Sequence, residues 1–205
     1  MTYWDEVGRK AIHLSSAIFP LVYHYTSCEF MLWVMVPLVA FALTVETARQ
    51  FVPAVEAWIQ RWLGSIMRRE EKRLFTGATY VVISVLLMIA LFPQKIAITA
   101  LLFMSISDAL ASLIGIKFGG TWRFLGKSVA GSSAFFLSAV AIALWQLPAH
   151  PLVGLAGAAT ATIAEALALR FGDFKVDDNF SIPLSSGVVM LLLLNAGLDF
   201  PIFGG

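Results

Sequence analysis

Apolar runs separated by short polar connectors occupy most of the chain, at residues 11–26, 30–45, 76–92, 96–116, 129–147, 152–169 and 184–198. A stretch of about 20 apolar residues spans the hydrocarbon core as a helix. The pattern therefore predicts an all-α polytopic membrane protein, a bundle of about seven transmembrane helices. The first two runs are short and closely spaced, so six is the alternative count. Pro20, Pro37, Pro93 and Pro148 lie in or at the ends of runs, where kinks are expected. Between the second and third runs, Val55, Trp58, Ile59, Trp62, Leu63 and Ile66 recur every three or four residues, with Arg61, Arg68 and Arg69 alongside. That spacing predicts one interfacial amphipathic helix; the alternative is a solvated charged connector.

Composition narrows the class. Hydrophobic residues are 59% of the 205 and charged residues 13%, against about 25% charged in soluble domains. The spans use up the length, so 1–205 reads as a single integral membrane domain, with membrane lipids as neighbours and no nucleic-acid partner expected. Cys28 is the single cysteine, which excludes an internal disulfide and a multi-cysteine metal site. The segment before the first run mixes acids with bases and is followed by no small-residue cleavage site, so it does not read as a cleaved signal. With seven spans, 13 of the 14 Lys and Arg residues fall on one side and only Lys95 on the other. The positive-inside rule then places the N-terminus in the cytoplasm and the C-terminus outside. A compact chain without a targeting segment suits a prokaryotic plasma membrane. Oligomeric state has no signature.

Four ionisable groups lie within or at the edges of the runs: His13, Glu46, Asp108 and Glu165. An aspartate at a helix centre costs about 2.5–3.5 kcal/mol on insertion scales, so each is a functional candidate. Asp108 is the deepest, roughly 12 Å from the end of its run at helical rise. Its alternative reading is an interhelical pair with a basic residue. Ala111, Ser112, Gly115 and Gly119 follow on one face, small enough to admit a ligand or a neighbouring helix. The connector GGTWRFLGKS misses the phosphate-loop spacing, since the first glycine should stand at Thr121. Its ingredients still suit an anion: glycines with accessible N–H groups, the Lys127 charge, the Ser128 hydroxyl and a helix N-terminus directly after. Asp173, Asp177, Asp178 and Asn179 crowd the last polar connector, a density of oxygen donors that suits Mg²⁺ or simply a solvated turn.

In order along the chain, Arg9-Lys10 with His13, Glu46 with Arg49, Thr76-Gly77-Ala78-Thr79-Tyr80, Asp108-Ala109 with Gly115 and Gly119, Lys127-Ser128 with Gly131, Glu165, and Asp178-Asn179 with Ile182-Pro183-Leu184 resemble one family. It is the CTP-dependent lipid-alcohol kinases, which include dolichol kinase, phytol kinase and the yeast-type diacylglycerol kinase. One departure is Ala130, where the family usually carries an acid. The resemblance implies transfer of the γ-phosphoryl group of CTP, with Mg²⁺, to a lipid alcohol arriving from the inner leaflet. It implies Asp108, Glu165 and Asp178 as metal-holding or proton-accepting carboxylates, with Asn179 orienting a carboxylate or the nucleotide base. Lys127, Ser128, Gly131 and Gly119 would hold phosphates, and Arg9, Lys10, His13, Glu46, Arg49 and Thr79 would complete the nucleotide site. Two alternatives remain. Phosphatidate cytidylyltransferases share the Asp, Gly and Lys pattern, but Gly126 stands where their proline would. A proton- or ion-coupled transporter could also use intramembrane acids, yet the opposite side offers little beyond Lys95 and His150.

Overall fold

The computed structural model describes residues 3–64, 75–167, 170–171 and 174–197. Arg68, Arg69, Lys72, Arg73, Ile66, Asp173 and the ends of the runs at Leu169 and Leu198 lie outside the described residues. Ten α-helices are described: α1 (Tyr3–Ser15), α2 (Ile18–Tyr25), α3 (Cys28–Phe51), α4 (Pro53–Leu63), α5 (Gly77–Leu91), α6 (Gln94–Leu102), α7 (Asp108–Phe118), α8 (Val129–Gln146), α9 (Pro151–Leu167) and α10 (Asp178–Asn195). A π-turn, Phe103–Ser107, joins α6 to α7.

Among the described residues, four helices are long and apolar enough to cross a membrane: Cys28–Phe51, Gln94–Phe118, Val129–Gln146 and Asp178–Asn195. Gly77–Leu91 and Pro151–Leu167 are apolar but shorter. The first predicted run departs from expectation, because it is two helices rather than one. Pro20 has no N–H, and its ring crowds the carbonyl of the residue four before it, Ser16. The chain breaks at Ser16 and Ala17, and Phe19 N–H bonds Ser16 O at 3.1 Å instead.

The predicted amphipathic helix forms as α4, with Pro53 at its start. Ile59 is buried while Trp58 and Trp62 are 64% and 66% exposed.

Two small β-pairs were not foreseen. β1 (Arg123–Phe124) pairs antiparallel with β2 (Lys127–Ser128), and β3 (Arg170–Phe171) with β4 (Phe174–Lys175). Between β1 and β2 lie only Leu125 at φ 49 and Gly126 at φ 99. Two central residues of positive φ make the tight turn whose twist matches a hairpin, and glycine suits the second position. Gly126 is there for the turn.

The centre of the bundle is the α6–π–α7 helix. Its apolar window is 78% buried, against 17% for α3. Leu101, Leu102, Phe103 and Met104 are fully enclosed by Val85 and Met88 of α5, Phe135 and Ala139 of α8, and Met190 of α10. One end of the bundle carries few charges and is tightly stapled: Gln94 Nε2 donates to Tyr23 O at 2.6 Å and to Thr26 O at 3.1 Å, and His24 stacks on Trp145. The charged connectors gather at the other.

The small-residue face after Asp108 takes a helix. A Cβ on Gly115 would stand 2.8 Å from Ser128 Oγ, and one on Gly131 would stand 2.8 Å from Ala111 O and 3.3 Å from Gly115 Cα. Close backbone approach of this kind is what small residues permit between membrane helices. Gly131→Ala should push α7 from α8 and lower stability by about 1–3 kcal/mol. Gly8→Ala, where nothing lies within 4 Å, should leave it equal or higher. Thermal unfolding midpoints in detergent compare the two.

Candidate active site

At the charged end the site is assembled from the ends of five helices. In α7, Asp108 follows the π-turn directly. Its N–H bonds Phe103 O, a bond to the fifth residue back that shifts the backbone register by one. Met104 O then accepts from His13 Nε2 at 2.7 Å. The same imidazole nitrogen lies 3.3 Å from Asp108 Oδ2, and Lys10 Nζ donates to that oxygen. Lys10 and Asp108 are both buried, at 4% and 3% exposure. The interhelical pair with a basic residue, one of the two readings of Asp108, is therefore present. A buried ion pair is weak evidence for stability, but removing one partner strands the other charge.

Lys127 stands beside this pair. The β1–β2 turn delivers it just ahead of α8, and its Nζ is 2.8 Å from Glu165 Oε1 and 3.8 Å from Asp178 Oδ2. Burial works against its charge. The carboxylates of Asp178 and Glu165, with Asp108 behind them, outweigh burial and hold its pKa above the ordinary lysine value. Glu165 and Asp178 each keep one buried oxygen, Oε2 and Oδ1, with no hydrogen-bond partner among the described residues. Buried acceptors in that condition are costly and call for a donor or a cation.

Two helix N-termini converge on these groups. Ser128 caps α8, its Oγ accepting from Gly131 N–H at 3.1 Å, and Asp177 caps α10, its Oδ1 accepting from Asn179 N–H at 2.9 Å. Uncompensated N–H groups and the helix dipole make such ends favourable for anions. Ser128 itself is buried and its hydroxyl serves the cap, while Gly131 and Gly119 line the α7–α8 contact. The structure thus places these three in helix packing beside the cluster.

Glu46, Arg49 and Thr79 form a separate latch between α3 and α5. Glu46 Oε2 accepts from Arg49 Nη2 at 2.7 Å and Nε at 3.0 Å. Its other oxygen accepts from Thr76 N–H at 2.7 Å and Thr79 Oγ1 at 3.1 Å. Glu46 therefore caps the start of α5 from another helix, satisfying donors that α5 leaves open. Thr76 opens the Thr76-Gly77-Ala78-Thr79-Tyr80 motif of the resemblance but is not among the expected site residues. Asn179 Nδ2 donates to Gly77 O at 3.3 Å, tying the latch to the α10 start. Arg9 lies on the wall of a cavity that also includes His13 and Asn179.

Asp108, Glu165 and Asp178 were expected as a metal-holding set. Among the described residues no three His, Cys, Asp or Glu side chains are grouped to hold an ion. Lys10 occupies Asp108, and the Lys127 ammonium sits against the other two.

Lys10→Met should cost about 3–5 kcal/mol by stranding the Asp108 charge, and Lys10→Met/Asp108→Leu should recover most of it. Chemical denaturation of the single and double variants in detergent measures the coupling.

No family model and no solved structure matches the chain. Sequence relatives do exist. The CTP-dependent diacylglycerol kinase 1 of Schizosaccharomyces pombe is 27% identical, with 92% of this chain and 94% of the relative aligned. That of Saccharomyces cerevisiae is 26% identical over 90% and 72%, and a probable chloroplastic phytol kinase of Triticum aestivum 28% over 92% and 68%. These names support a lipid kinase, and they fall in the CTP-dependent lipid-alcohol kinase family that the ordered motifs of this chain resemble.

Proposed function

We propose that the chain transfers the γ-phosphoryl group of CTP to the hydroxyl of a membrane-embedded lipid alcohol, of the polyprenol, dolichol, phytol, geranylgeraniol or diacylglycerol kind. The observation that carries this reading is the Lys127 ammonium set against Glu165 and Asp178 where the N-termini of α8 and α10 meet. Phosphoryl transfer is mainly a matter of positioning and charge neutralisation, and these groups supply both. Lys127, kept cationic by its carboxylates, offers a point charge to the phosphates. The two helix ends offer N–H donors.

The two unpartnered carboxylate oxygens, Glu165 Oε2 and Asp178 Oδ1, fit Mg²⁺, which takes one or two carboxylates and completes its shell with water and substrate phosphates. Bound there, the ion would neutralise charge on the phosphates. Asp108, through Lys10 and His13, holds α1 against the site. CTP as donor rests on the relatives, two of which are named for it. Counting α1–α2 as one broken crossing and α5 and α9 as short ones makes seven. With that count the basic connectors support a reading in which the site and the N-terminus face the cytoplasm, the C-terminus lies outside and α4 rests at the headgroup level.

Purified protein in detergent, given γ-labelled CTP or ATP and a panel of phytol, geranylgeraniol, polyprenol and diacylglycerol, should label a lipid with CTP preferred. Chelating divalent cations should abolish transfer. Lys127→Met and Glu165→Gln should each lower kcat by about 10²-fold or more. Absence of transfer to every alcohol, with ion uptake in liposomes instead, would falsify this reading in favour of a transporter. Release of pyrophosphate and a CDP-lipid would favour the cytidylyltransferase.

A further inference from the structure

Beside the ionic cluster is a cavity that contains neither Lys127 nor the carboxylates set against it, although Arg9, His13 and Asn179, expected at the nucleotide, are on its wall. It lies between α1–α2 and α5 and holds about 330 Å³. Ile12, Ile18, Phe19, Val81 and Val82 form its apolar walls, and Arg9, His13 and Asn179 are on its polar side. Ile12 and Ile18 are also more than half exposed, so the cavity is bordered by apolar side chains at the surface of the bundle.

The polar side is joined to the cluster twice. His13 Nε2 faces Met104 O and the Asp108 carboxylate, both acceptors, so that nitrogen carries the proton. In the neutral ring Nδ1 is then an acceptor, and among the described residues it has no partner. Asn179 directly follows Asp178 and is held to Gly77 at the cavity rim. An occupant's polar end would therefore sit between a neighbour of Asp108 and a neighbour of Asp178, with its apolar part among aliphatic side chains. A site of this make-up, mostly apolar with a few placed polar groups, suits a neutral amphiphile.

We infer that this cavity receives the lipid alcohol head first, the hydroxyl donating a hydrogen bond to His13 Nδ1 and the proximal chain lying between Phe19, Val81 and Val82. The assignment rests on the kinase reading for the reaction that follows, but the binding itself does not require it. The competing groove lies between α8 and α9, lined by Val129, Ser132, Phe136 and Thr162 among others, and contains no ionisable side chain. It offers hydroxyls only: Thr162 Oγ1 already donates to Ala158 O at 2.8 Å, and Ser132 Oγ has no partner among the described residues, but no charged group of the cluster is on its lining.

The test uses the whole protein in lipid nanodiscs with phytol and diacylglycerol as separate probes. Ala78→Phe and Val82→Trp fill the cavity and should raise KM for the accepted alcohol about tenfold, while KM for CTP stays within about twofold. His13→Phe, which removes the Nδ1 acceptor together with the Nε2–H bond to Met104 O, should raise the alcohol KM by at least the same factor. Photoreactive phytol or diacylglycerol should label α1, α2 and α5, with labelling suppressed by the unmodified alcohol. Phosphoryl transfer at unchanged alcohol KM in both filling variants, or labelling centred on Phe136 and Leu137 of α8, overturns the assignment. Labelling of α1, α2 and α5 by a wild-type protein that transfers no phosphate removes the kinase reading and upholds the cavity as the lipid site.

Discussion

The rest of the structure depends on the burial of one carboxylate. Asp108 sits at 3% exposure in the most enclosed helix of the bundle, and an isolated charge there would cost several kcal/mol. Its compensation comes from α1, a helix that is not among the long apolar ones. Lys10 and His13 reach Asp108 from one turn of that helix, and His13 also takes the carbonyl that the π-turn leaves open. The break at Ser16 and Ala17 lets α1 and α2 take separate directions, so α2 can pack on α6 while α1 packs on α7. Pro20 thus connects a local backbone rule to the compensation of a buried charge.

The same end collects its remaining charge through helix termini. Lys127 precedes α8, Asp178 begins α10, Glu165 stands near the last turn of α9, and Glu46 caps α5 from α3. Terminal residues suit this purpose because backbone donors are open there and side chains reach sideways without entering the packed interior. The β1–β2 turn contributes in the same way: Leu125 and Gly126 reverse the chain within two residues, so Lys127 is held in a paired strand directly before α8 instead of standing at the tip of a long loop.

Asp108, Glu165 and His13 could be read from the chain because charge is expensive in an apolar run and therefore conspicuous there, whereas Lys10, Lys127, Asp178 and Asn179 stood in polar connectors and were singled out by their company of glycines, oxygen donors and ordered motifs. The structure brings these residues to one end. Glycines are less legible. Gly115 and Gly119 looked equally suited to a ligand and to a helix, and it is the approach of α8 to α7 that fills their face. The tight turn at Leu125-Gly126 was hidden by the near-match to a phosphate loop, which drew attention to N–H groups rather than to backbone dihedrals. The division of the first run was hidden because hydropathy is blind to a missing N–H. The π-turn has no composition signal at all, since FMSIS differs little from the residues on either side.

Asp108 poses the sharpest choice between structure and chemistry, and the geometry resolves part of it. Its paired oxygen, Oδ2, faces Lys10 and His13, while its charge is also felt by Lys127 across the gap between α7 and β2. Removing the carboxylate therefore alters two things together, the seating of α1 and the charge balance around Lys127. A ligand phosphate arriving at Lys127 would compete with Glu165 and Asp178 for its ammonium, leaving those carboxylates to a cation that arrives with the phosphates. Asp108 cannot be released in the same way without stranding Lys10 inside the protein. The physical distinction is thus between an exchangeable half of the cluster, where Lys127 is one-third exposed and two oxygens await a partner, and a fixed half that holds it in register.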